Sequence, residues 1–200
     1  MGEHNVKREA DPAVLRAFTH HLLQDVQALE RMIQEDLFER NVRRIGAEQE
    51  LFMVDERGEP SPIIEEVLER NTDDRIVTEL TKFNVEFNMD PLLYGGDCFG
   101  QMEEATNELI DEVRSLVHPS DSEICMTGIL PTAQLSDFAL DYMTDRPRYF
   151  ALNDAISRLR GGPGQYQIRG IDELFVKHDS IMLEGCNTSF QTHFQVTPDE

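Results

Sequence analysis

Glu48 and Glu50 stand two residues apart in the segment Gly46-Ala47-Glu48-Gln49-Glu50-Leu51. Alternate side chains of a strand share a face. This spacing therefore projects both carboxylates to one side and Ala47, Gln49 and Leu51 to the other. Like charges placed this way repel, and a cation between them removes the cost. The pattern recurs twice. Over 82–89, Lys82, Asn84, Glu86 and Asn88 share a face opposite Phe83, Val85, Phe87 and Met89. Over 189–196, Ser189, Gln191, His193 and Gln195 oppose Phe190, Thr192, Phe194 and Val196. Joined in one sheet, Glu48, Glu50, Glu86, Gln191 and His193 would line one concave polar surface, with Glu79 reaching it from the rim. Oxygen-rich ligands with a single imidazole suit a hard cation, Mg²⁺ or Mn²⁺, and not a structural zinc. Carboxylate-held Mg²⁺ is a common way to bind and polarise a nucleotide triphosphate. Alternation is equally what any antiparallel sheet with one wet face shows, so spacing alone leaves both readings open. Glu, Asn, Gln and His in place of the usual Thr, Lys, Arg and Ser weigh toward ligation.

The surrounding pattern predicts the elements that would carry these strands. Asp11-Pro12 opens a long amphipathic helix with Leu15, Phe18, Leu22, Val26, Leu29, Ile33 and Leu37 on one stripe, ending near residue 40. Its stripe is expected to cover the back of the sheet, under Phe83, Val85, Phe87, Phe190 and Phe194; a second subunit of a homo-oligomer is the other candidate. A strand over 43–54 ends at the turn 55–58, followed by a short helix over 63–70. Met102, Ala105, Leu109, Val113 and Leu116 mark a second long helix closed by Pro119. A strand over 123–130 and helical segments over 134–143 and 147–160 come next, and residues 161–164 read as a loop. The mixture lacks a regular βαβ rhythm, which implies an α+β fold with a mainly antiparallel sheet, one polar face and helices on the other. Residues 1–10 are expected to be disordered.

The 200 residues contain 39 Asp plus Glu against 18 Lys plus Arg, a net charge of −21. That balance disfavours nucleic acid as a partner, since phosphate binding needs clustered cations. No apolar run is long enough to span a membrane, and the first residues lack a secretory signal. Cys98, Cys125 and Cys186 form no CxxC pair. They read as small buried apolar groups in a reducing cytoplasm. His4, His20, His21, His118 and His178 read as surface or structural residues.

With these residues in view, the chain resembles the glutamate–cysteine ligases and related carboxylate–amine ligases. Gly46-Ala47-Glu48-Gln49-Glu50-Leu51 is similar to their G-x-E-x-E-L signature, and Glu79 and Glu86 to a pair of acidic metal ligands. Arg148-Tyr149 matches an R-Y dipeptide, and 187–193 (NTSFQTH) matches a segment that brings in a metal-binding His. The order agrees across residues 45–196. The resemblance implies a single glutamine-synthetase-like catalytic domain, the N-terminal part of a longer ligase. It implies ATP-dependent joining of the γ-carboxylate of glutamate to an amine such as cysteine, through an acyl phosphate, with Mg²⁺ or Mn²⁺ and ATP as cofactors. Glu48, Glu50, Glu79, Glu86 and His193 would be metal ligands, with Glu48, Glu50 and Arg148 catalytic. Gln191 and Arg148 would contact nucleotide. A surface arginine is the ordinary alternative for Arg148, and core packing is preferred for Tyr149. Family members are longer, their later portion supplying a further acidic ligand and much of the nucleotide site. A catalytically incomplete, ligase-derived binding or regulatory domain is therefore the alternative function.

Overall fold

The computed structural model describes residues 11–200; the disorder expected of residues 1–10, and His4, lie outside the described residues. The fold is α+β, with a six-stranded sheet in which every pairing is antiparallel and a separate two-stranded hairpin. At its centre is β1 (Arg44–Val54). It pairs with β3 (Asn84–Asn88) on one side and β8 (Phe190–Phe194) on the other, so Glu48 and Gln49 have strand neighbours on both edges. Beyond β3 lies β2 (Ile76–Thr78), while β4 (Leu92–Leu93) and β5 (Glu123–Cys125) pair with the two ends of β1.

Odd-numbered side chains of β1 form the apolar face. Ile45, Ala47, Leu51 and Met53, with Val85 and Phe87 of β3, pack against α2 (Ile64–Arg70) and α3 (Cys98–Val117). The inward stripe of α3 is Met102, Leu109, Ile110, Val113 and Val117, a 3–4–7 spacing that puts all five on one side of the helix. Burying such side chains contributes about 1.5–3 kcal/mol each, and this layer dominates the stability of the sheet. At one end of the opposite face a second apolar cluster forms from Phe52, Leu80, Phe83, Phe138, Met143, Tyr149 and Met182.

Several expectations are corrected here. The first helix, α1 (Pro12–Gln34), is capped by the Asp11 carboxylate, which accepts from the Ala13 amide at 2.8 Å, but it ends before residue 40. Asp36 and Asn41 have positive φ and turn the chain out of the helix. Among the described residues it also covers nothing: no residue of α1 is buried, and Phe18, Leu22, Val26 and Ile33 stay exposed. α2 and α3 occupy the sheet's back instead, because short connections from strands of that same sheet hold α3 at both ends. Phe190 and Phe194 lie on the apolar face of β8 yet stay about half exposed, and Phe194 meets Tyr94 edge to face. Phe83 is not on the face of Val85 and Phe87. Residues 81–83 form a turn before β3, which directs its ring onto Phe138 and sends the Lys82 ammonium to the Asp141 carbonyl. The expected 123–130 strand is only Glu123–Cys125, and 134–143 forms two 3₁₀ turns. Residues 164–178 form a hairpin of β6 (Gly164–Arg169) and β7 (Glu173–His178) that the sequence pattern did not suggest.

The last helix, α4 (Pro147–Arg160), lies on the polar side rather than the back. Its Tyr149 hydroxyl donates to the Thr78 carbonyl at 3.1 Å and is 3.2 Å from the Thr78 hydroxyl. Gly161, at φ +73°, ends this helix in a left-handed turn. Gly185 is required where the turn Met182–Cys186 crosses Thr81: a Cβ there would lie 2.1 Å from the Thr81 methyl. No helix among the described residues is long and apolar enough to cross a membrane. All three cysteines are free, Cys98 buried and Cys125 and Cys186 half-buried, and burial raises the Cys186 thiol pKa.

Candidate metal and substrate centre

The antiparallel register does what strand spacing alone could only suggest. Glu50 is paired with Glu86, Glu48 with Asn88 on one side and Gln191 on the other, and Gly46 with His193. Paired residues share a face, so Glu48, Glu50, Glu86, Gln191 and His193 all project from the polar side. Val77 pairs with Glu86, and two residues later Glu79 reaches the same face just after β2 ends. Carboxylate oxygens of Glu50, Glu79 and Glu86 all lie within 4.8 Å of one another.

Each of the three is held in place. Glu50 accepts from the Ser189 amide at 2.9 Å, the Ser189 hydroxyl at 3.2 Å and the Gln191 amide at 3.2 Å. Glu86 is buried and accepts from the Asn88 side-chain amide at 2.7 Å. Glu79 accepts from the Leu80 amide at 2.7 Å, and its own carbonyl takes a 2.6 Å bond from the Thr144 hydroxyl. These bonds fix rotamers, but they do not balance three converging negative charges. The consequence falls on Glu79, whose pKa rises to about 7. Burial is the main cause; sharing a proton with Glu86 and the charges of Glu86 and Glu50 add to it, against the Leu80 amide. A proton on Glu79 and a divalent cation would relieve the same repulsion, one in place of the other. Among the described residues the side-chain amide oxygen of Asn88 is buried without a hydrogen-bond partner, an unsatisfied acceptor on this face. Three carboxylates and a spare amide oxygen match the donor set of Mg²⁺ or Mn²⁺.

The remaining sequence candidates divide. Glu48 lies outside the trio and faces His193, whose Nε2 is 3.5 Å from its Oε2. Glu48 is largely covered and His193 half exposed, so this pair forms a flank of the site. Arg148 enters from α4, and among the described residues it makes no ion pair; its guanidinium lies 5.3 Å from the Tyr149 ring centroid. A cavity of about 400 Å³ is lined by Glu48, Glu50, Glu79, Glu86, Arg148 and Gln191, so all the expected site residues except His193 meet around one space. Arg148 and the carboxylates together give the space two kinds of grip, one for oxyanions and one for cations.

Three contributors were missed or under-read. Asn88 orients Glu86, Ser189 orients Glu50, and Tyr149 is both core and strut, its hydroxyl fixing Thr78 beside Glu79. Asn88 and Ser189 could have been found by extending the face alternation to orienting groups. Nothing in the sequence marks the Tyr149 contact, because it joins residues 71 positions apart.

The model for the glutamate-cysteine ligase family 2 (GCS2) matches residues 44–200. Neither curated proteins nor solved structures gave a match.

Proposed function

The chain belongs to glutamate-cysteine ligase family 2, and from that premise we propose that it is the catalytic part of an ATP-dependent carboxylate–amine ligase. The observation that carries the reading is the convergence of Glu50, Glu79 and Glu86 within 4.8 Å, with Asn88 beside them. These residues would hold Mg²⁺ or Mn²⁺, which when bound neutralises triphosphate charge and polarises the transferring phosphoryl group.

A carboxylate is a poor electrophile because it lacks a leaving group. In the proposed reaction the γ-carboxylate oxygen of glutamate bonds to the γ-phosphorus of ATP as the bond to ADP breaks. The amine nitrogen then bonds to the acyl carbon, phosphate departs with the C–O electron pair, and a proton leaves the nitrogen. The chain's own residues bind and orient. Arg148 grips an oxyanion, either a substrate carboxylate or a phosphate, from the α4 side. Gln191 and Ser189 hold the Glu50 carboxylate in one rotamer, and Asn88 does the same for Glu86. Glu48 and His193 form a flank that receives or supports the cation-bound group. Small molecules, glutamate, an amine and ATP, are the partners this surface fits.

Phosphate release by the intact protein tests the reading. Release should require glutamate, an amine, ATP and Mg²⁺ together. No phosphate with any amine, under conditions where Mn²⁺ binds, would overturn it.

A further inference from the structure

The 400 Å³ space is not the largest in the molecule. It adjoins a cavity of about 720 Å³, and the two share Glu79, Arg148 and Tyr149. This larger cavity is built from α4, the β6–β7 hairpin and the segment 181–186. α4 contributes Leu152 and Ile156. In the hairpin Tyr166 pairs with Val176 and Ile168 with Leu174, so these four side chains share one face, and all four line the cavity. Ile181 and Leu183 complete the apolar lining. The hairpin's other face carries Gln165, Gln167, Arg169, Glu173 and Lys177, with Phe175 the exception. It is therefore amphipathic, yet its apolar face packs into no core: Ile168, Leu174 and Tyr166 remain exposed. An isolated two-stranded hairpin is marginal in water, and an uncovered apolar face of this kind marks a binding site more often than a structural one.

We propose that this cavity receives the side group of the amine substrate, and that the amine carries a bulky hydrocarbon or aromatic group. The inference rests on the ligase reading above. Its volume is in the range of pockets for whole organic ligands, roughly 300–1,000 Å³, far more than the single thiol of a cysteine would fill. Most of the lining is hydrocarbon, with Glu79, Arg148, Arg160 and Glu184 the charged groups in it, so glutamate or a triphosphate would leave much of its charge unpaired there. A purine needs hydrogen-bond partners at its ring edge. Arg160 already donates to the carbonyls of Gly162 and Asp179, and the other polar side chains of the lining, Glu79, Arg148, Tyr166 and Glu184, are set among ten apolar or aromatic ones. An alkyl or aryl group needs none of these. Glu79, Arg148 and Tyr149 form the shared mouth, between the apolar cavity and the site where the acyl group would form. The nitrogen then lies at the reacting centre and its substituent in the apolar space.

The chain contains no tryptophan, so the indole of tryptamine reports its own environment against a clear background. On titration with the intact protein, tryptamine emission should shift to the blue and increase. Phenethylamine should reverse the change, whereas ethylamine and adenosine should not. In turnover with glutamate and Mg-ATP, phenethylamine should exceed cysteine in kcat/KM by about tenfold or more. V176F fills the cavity and I156E makes it polar. Each should weaken tryptamine binding by about fivefold or more, with Mn²⁺ binding and far-UV circular dichroism unchanged. A blue shift reversed by adenosine would instead assign the cavity to the nucleotide base. Phosphate release with cysteine and none with aromatic amines would overturn the proposal while leaving the ligase reading intact. Tryptamine binding without phosphate from any amine would overturn the ligase reading and, with it, the assignment of this cavity to a substrate.

Discussion

The two faces of β1 follow opposite rules within the same eleven residues. On the odd-numbered face, Ile45, Leu51 and Met53 are sealed under α2 and α3, and every added contact adds stability. On the even-numbered face, Glu50 meets Glu86 and Glu79, and each added carboxylate without a cation costs stability. One face supplies the free energy that lets the other carry an electrostatically unfavourable arrangement. Strain of this kind persists at functional sites when the surroundings over-determine the geometry. The fold and the site should therefore fail independently.

The largest effect is expected from the apolar face. Phe87→Ala, removing a fully buried ring, should cost about 3–5 kcal/mol in chemical denaturation. The residual folded fraction should bind Mn²⁺ with little change in affinity. On the opposite face E86Q should reverse this outcome. It should lower Mn²⁺ affinity by about tenfold or more in calorimetry and leave the apo melting temperature unchanged or higher, since it removes one of three converging charges. A large loss of apo stability in E86Q would break the proposed division of labour.

Acidity sharpens the same contrast. The Glu79 pKa stands at about 7 in the fold against 4.5 as a free group, so between those values the folded state binds more protons than the unfolded one. Apo stability attributable to Glu79 must then fall as pH rises from about 4.5 through 7. Over the same window divalent-ion affinity must rise, because the ion displaces that proton. Glu39 acts the other way. Its hydrogen bonds from Arg44 and Gln195 lower its pKa to about 2, so its contribution is lost only as pH falls below about 4.5. Melting temperatures across pH 4.5–8, with and without Mg²⁺, should converge at the acid end and diverge at the basic end.

Smaller effects mark the borders of the site. H193A should weaken Mn²⁺ binding by less than E86Q does, since His193 contacts Glu48 and lies outside the three-carboxylate group; an equal loss would place the imidazole among the ligands. Smallest of all, Leu22→Ala on α1 should change stability by about 0.5 kcal/mol or less, because the side chain is exposed. A large loss would show that this stripe is covered in solution.

Legibility in the sequence tracks how local each cause is. Helices α2, α3 and α4 and strand β1 were readable from periodicity and caps, because the pattern lies within the element. The polar faces of β1, β3 and β8 were readable for the same reason, and with them the residues of the site. The resemblance of the Gly46–Leu51 segment and of Arg148-Tyr149 supplied the chemistry that alternation could not choose. What covers an apolar stripe was not readable: α1 and α3 carry similar stripes, and one is buried and the other open. The 164–178 hairpin escaped notice although Gln165, Gln167 and Arg169 alternate with Tyr166 and Ile168, because its first strand opens straight out of the glycine-rich stretch 161–164 and Phe175 breaks the polar face of the second.

By itself, the sequence determined which side chains can share a face, since backbone geometry fixes the alternation of a strand regardless of its surroundings. It also determined the family, through short motifs in order. Only the tertiary structure decided that Glu50, Glu79 and Glu86 form one group while Glu48 turns to His193. Cross-strand register joins Glu50 to Glu86, and the bonds that hold the carboxylates include ones between distant segments, such as Thr144 to Glu79 and Ser189 to Glu50. Proximity of that kind is a property of the packed chain, and no local pattern encodes it.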